Sequence, residues 1–61
     1  SIVKTTITIQ DKKFPICYKI IGKDKNFKIE SADIKSVAES INKSYKQTEE
    51  LIRNIITKEL L

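Results

Sequence analysis

Apolar and polar positions alternate along the first thirty residues, and the rhythm then changes to steps of three and four. From Ile2 to Gln10 the run IVKTTITIQ is rich in β-branched side chains, which fit a pleated strand and crowd the preceding turn of a helix. This predicts a first strand. Asp11, Lys12 and Lys13 supply a polar turn, and FPICYKIIG from Phe14 to Gly22 predicts a second strand. Pro15 has no backbone donor and therefore belongs at a strand start or on an edge. Gly22 to Asn26 forms a second turn, and FKIE a short third strand. Period-two alternation puts Val3, Thr5, Ile7, Ile9, Phe14, Ile16, Tyr18, Ile20, Phe27 and Ile29 on a core face. The opposite face carries Lys4, Thr6, Thr8, Gln10, Cys17, Lys19, Ile21, Lys28 and Glu30, a polar and basic set that an antiparallel sheet can leave in water.

Beyond Glu30, Ile34, Val37, Ala38, Ile41, Tyr45, Thr48, Ile52 and Ile55 recur at helical spacing. Ser31 is a candidate N-cap, and Asp33 suits the positive end of the helix dipole. No Gly or Pro interrupts residues 31 to 61. An unbroken helix there would span about 45 Å, against about 27 Å for an eight-residue strand. Either the helix overhangs its sheet and pairs with another chain, or it breaks near Asn42 to Ser44 and folds back. Ser44 and Gln47 have the spacing of a capping box at such a break. The expected fold is therefore α+β: a two- or three-stranded antiparallel sheet followed by one long or two shorter C-terminal helices.

Length limits how far this fold can stabilise itself. A chain of 61 residues makes one domain, sheet in 1–30 and helix in 31–61, and buries only about 60% of its unfolded surface. Domains this small usually add disulfides, a metal or a partner. Cys17 is the only cysteine and histidine is absent, so an internal disulfide and the common zinc sites are excluded. Association remains. Leu51, Ile52, Ile55, Ile56, Leu60 and Leu61 crowd six large apolar residues into eleven positions, more than one stripe needs. They form the expected interface of a homo-oligomer, a dimer. A lone cysteine and the lack of an apolar run near 18 residues point to a cytoplasmic protein that does not enter membranes.

Charge is divided unevenly. Residues 1 to 30 hold seven lysines against three carboxylates, whereas residues 31 to 61 balance five against five. An anionic partner would therefore meet the first half. With no histidine, no Gly-rich phosphate loop and carboxylates scattered through polar stretches, no catalytic constellation, metal or cofactor is expected. Cys17 reads as a small, half-buried strand residue.

Two resemblances bear on nucleic acid. SVAESINKSYKQTEELI, Ser36 to Ile52, resembles the helix-turn-helix of lac-repressor-type and winged-helix DNA-binding proteins. Val37, Ala38 and Ile41 match apolar positions of its first helix, Asn42 its left-handed turn, Ser44 its second cap and Leu51 its anchor. Lys43 replaces an apolar turn residue, and Glu49 and Glu50 would ride on the recognition helix. In element order alone, the chain also resembles the three-stranded DNA-binding modules at the amino end of some phage integrases. That geometry gives the reading residues to the sheet: Lys4, Thr6, Thr8, Gln10, Lys19 and Lys28 facing the groove, with Lys12, Lys13, Lys23 and Lys25 in the turns holding phosphates. The expectation is a small regulatory or accessory factor that binds duplex DNA. An assembly or adaptor module without nucleic acid is the rival.

Overall fold

A computed structural model describes residues 1–23 and 26–61. Three strands, β1 (Ile2–Ile9), β2 (Lys12–Ile21) and β3 (Asn26–Ile29), form an antiparallel sheet in the order β1-β2-β3. Two helices follow, α1 (Ser31–Ile41) and α2 (Tyr45–Glu59). Both lie on one side of the sheet. No helix among the described residues is long and apolar enough to cross a membrane.

The first turn is tighter than the three polar residues suggested. Gln10 and Asp11 form it alone, with φ of 53° and 64°, and β2 resumes at Lys12 opposite Ile9. Two residues at positive φ make a hairpin whose twist matches that of its strands. Lys12 and Lys13 therefore belong to a strand and not to the turn.

Pro15 sits in the central strand, and the pairing explains how. Ile20 donates its N–H to the carbonyl of Ser1 at 3.1 Å, so even-numbered residues of β2 exchange bonds with β1 and odd-numbered ones turn the other way. On that side β3 pairs only with Tyr18 to Ile21. The missing donor of Pro15 thus faces an edge that no strand occupies.

The core is the one that alternation indicates. Ile7, Ile9, Phe14, Ile16, Tyr18, Phe27 and Ile29 are buried against Ile34, Val37 and Ile41 of α1 and Ile52 and Ile56 of α2. Tyr18 and Phe27 pack edge to face with centroids 5.5 Å apart, and the Arg53 guanidinium lies 4.8 Å from the Phe27 ring centre. That cation–π contact fastens α2 to β3.

The helix breaks, and the break overturns the case for a helical interface. Asn42 adopts the left-handed conformation (φ 57°, ψ 47°) as the C-cap of α1, doing what Gly usually does. Ser44 then caps α2: its hydroxyl accepts from the Gln47 N–H at 3.1 Å, and the Gln47 side chain accepts from the Ser44 N–H at 3.2 Å. Helices of 11 and 15 residues span about 16 and 22 Å, short enough for the sheet to cover. Ile52 and Ile56 are fully buried in their own chain, while Leu51, Ile55 and Leu61 pack partly against the core. Of the residues expected to meet a partner, Leu60 alone remains exposed.

The start of α1 also differs from expectation. Glu30 holds the N-cap position without a side-chain cap bond, and Ser31 is already helical. Asp33 stands in the first turn, but its carboxylate reaches out of the helix. Its Oδ2 accepts the backbone N–H of Cys17 at 2.8 Å.

Candidate nucleic-acid interface

With both helices on one side, the other face of the sheet is open, and the strand register decides which side chains share it. Ile2, Lys19 and Lys28 stand in one row across the three strands. The next rows set Lys4 opposite Cys17, Thr6 opposite Pro15 and Thr8 opposite Lys13. Cβ atoms across such a row lie about 5 Å apart. Lys4, Lys19 and Lys28 therefore cluster at one end. Lys13 marks the other end, six residues or about 20 Å along β2.

Lys4, Thr6, Thr8, Lys13, Lys19 and Lys28 are all exposed. Between the charged ends lie two hydroxyls, Pro15 and the half-buried thiol of Cys17. A 12 Å major groove with a phosphate backbone on each side fits within that length. Ile2 and Ile21, 69% and 50% exposed, add apolar contact beside the lysines. A groove of about 480 Å³ opens at the Lys19–Lys28 end, with Ile2, Cys17, Glu30 and Tyr45 also in its walls.

Carboxylates are mostly elsewhere. Glu39 belongs to α1 and Glu49, Glu50 and Glu59 to α2, the helical layer of the molecule, and Asp33 is engaged by Cys17. Asp11 lies in the hairpin turn, and Glu30, beside Cys17 at the end of β3, shares the walls of the groove with Lys19 and Lys28. Lys19 and Lys28 are direct cross-strand partners, an arrangement that costs stability unless an anion lies over them.

Not every expected residue joins this face. Gln10 is in the turn at positive φ. Lys12 shares the pleat of Phe14 and Ile16, so it points toward the helical side at the hairpin end, where it is exposed. Lys23 is exposed in the turn after Gly22. Lys25 lies outside the described residues, as does Asp24. Ile2, which the expected set does not include, shares the parity of Lys4 and so stands on this face.

The second helix offers a different surface. Thr48, Ile52 and Ile56 face the core, leaving Lys46, Glu50, Asn54 and Lys58 exposed, a set of mixed sign. The class this geometry defines is a three-stranded antiparallel sheet with a helical hairpin behind it and a basic, solvated face in front. No family model, no curated protein and no solved structure matches this chain.

Proposed function

We propose that the protein is a non-catalytic DNA-binding factor, regulatory or accessory, that lays the open face of its sheet into the major groove of a duplex. The carrying observation is that the register gathers Lys4, Lys13, Lys19 and Lys28 on one face around Thr6 and Thr8, while the helical carboxylates lie behind. The lysines at the two ends hold phosphates and set the register of the complex, and the hydroxyls between them meet base edges. Ile2 and Ile21 supply apolar contact of the kind thymine methyl groups accept. Lys12 and Lys23 extend the phosphate contacts past each end of the face. The free thiol of Cys17 suits a cytoplasmic setting.

Titration of labelled random-sequence duplex at two salt concentrations tests this. Each phosphate contact contributes about −0.9 to the slope of log K against log salt. Changing Lys4, Lys13, Lys19 and Lys28 together to Gln should weaken binding to every sequence and flatten the slope by about 3.6. Unaltered binding would refute the sheet-face reading. Footprints that respond only to Tyr45 and Lys46 would transfer the role to α2 and to the helix-turn-helix.

The exposure of Ile2 and Ile21 favours a second reading, an adaptor that docks an acidic protein on the same face. Absence of DNA retention at low salt would select it.

A further inference from the structure

The two edges of the sheet are built differently. On the β3 side the edge is blunted three times over: β3 has four residues, Pro15 presents no donor, and the Asp33 carboxylate occupies the N–H of Cys17. Edges protected in these ways resist pairing with other chains. The β1 edge has no such device. It runs eight residues without proline and with one charge, Lys4, and its pairing with β2 is continuous, with no bulge to twist it away.

Its free groups follow from the phase of the ladder. Odd-numbered residues of β1 exchange bonds with β2, so Ile2, Lys4, Thr6 and Thr8 turn their N–H and C=O groups outward. All four residues are exposed. Val3 and Thr5, on the core-side pleat of this edge, are only half-buried.

We propose that β1 pairs antiparallel with β1 of a second copy about a two-fold axis at Thr5, joining two sheets into one of six strands. The inference goes beyond DNA binding and does not depend on it. An isologous contact must pair the strand with itself, which leaves few registers. A one-residue slip would turn core side chains into water. A two-residue slip one way sets Lys4 against its own copy, and the other way leaves the exposed Ile2 opposite the hairpin turn. With Thr5 on the axis, Lys4 faces Thr6 of the partner subunit and Ile2 faces Thr8 of the partner subunit. Four residue pairs then exchange about eight ladder bonds, and Val3 packs beside Ile7 of the partner subunit. The two basic faces become one continuous surface.

Sedimentation equilibrium over a wide concentration range reads the outcome. Wild-type protein should approach twice the 7.0 kDa chain mass; a monomer throughout overturns the proposal. Thr6→Lys, at an exposed position, sets two ammonium groups face to face on each side of the axis and should give a monomer with native circular dichroism. Adding Lys4→Glu to Thr6→Lys turns repulsion into attraction and should restore the dimer. A dimeric Thr6→Lys variant, or a folded double variant that stays monomeric, refutes the pairing. Should Thr6→Lys fail to fold, Thr5→Cys in a Cys17→Ser background decides: paired Cα atoms about 4.5 Å apart allow a disulfide across the axis, and no covalent dimer after copper–phenanthroline oxidation overturns the register.

Discussion

Replacing Asp33 tests whether a single carboxylate joins the sheet to its helical layer. The Cys17 carbonyl accepts the Glu30 N–H at 2.9 Å, and a continuing ladder would return the Cys17 N–H to the carbonyl of Glu30. That carbonyl is instead committed to α1, accepting from Asp33 and Ile34 at 3.1 and 3.2 Å. The start of the helix thus takes an acceptor from the strand, and Asp33 Oδ2 replaces it at 2.8 Å. A hydrogen bond to a charged group is worth about 1.5–3 kcal/mol, and half-burial of Asp33 argues for the lower end. Its charge in the first helical turn adds about 0.3–1 kcal/mol.

Asp33→Ala should therefore cost about 2 kcal/mol, or 8–16 °C in Tm at the roughly 4–8 °C per kcal/mol of a domain this size. Asp33→Asn keeps an acceptor without the charge and should cost about half as much. Thermal unfolding followed by circular dichroism at one fixed protein concentration measures both, because association would otherwise shift Tm. Amide exchange at Cys17 should be slow in wild type and fast in Asp33→Ala. An alanine variant within about 0.5 kcal/mol of wild type, inside the range of ordinary surface changes, would sink the bridging role. An asparagine variant as damaged as the alanine one would assign the effect to charge alone.

Two other substitutions probe the helical hairpin. The Thr48 hydroxyl is fully buried with no hydrogen-bond partner among the described residues, so Thr48→Val, which keeps the shape and removes an unsatisfied group, should raise stability by about 1 kcal/mol; a lower urea midpoint would show that the hydroxyl is satisfied. Asn42→Ala puts an ordinary Cβ residue at φ 57° and should cost about 1 kcal/mol, whereas Asn42→Gly should be neutral or stabilising. Equal denaturation midpoints for the two would mean that the left-handed cap does not hold the break.

The core was legible because alternation depends only on which face a residue occupies. Every position from Ile7 to Ile29 assigned to the inner face is buried, apart from the half-buried Ile20 at the end of β2. The break between the helices was written in Ser44 and Gln47, yet it competed with a straight helix because residues 31 to 61 lack Gly and Pro. Asn42 supplies the left-handed residue that glycine would have announced. The expected helical interface came from that straight-helix alternative: once the chain folds back, the surplus of apolar residues near Ile52 becomes the second wall of the core. Ser31 looked like a cap because its side chain suits the role, but Glu30 takes the position, and Asp33 in the first turn accepts the Cys17 N–H of the strand.

Faces and edges differ in what reveals them. A side chain's face follows from its own parity, so Lys4, Lys19 and Lys28 could be sorted before the fold was known. Lys12 and Lys13 were both assigned to the turn, which proved to be two residues long and returned Lys13 to the open face. An edge exists only after strand order, length and phase are fixed together. Pro15 illustrates this: read alone it argued against a central strand, yet it lies in one, opposite the gap left by a four-residue β3. The same short β3 leaves the Cys17 N–H for Asp33, so one edge is closed by a short strand, a proline and a carboxylate that are separate in sequence. β1 lacks every one of these devices although it is the longer edge. An unprotected edge of high β-propensity invites unwanted pairing unless a defined partner covers it. Covering it with its own copy would close the sheet's remaining free edge and place the Lys4 residues of both subunits near the middle of a single basic surface.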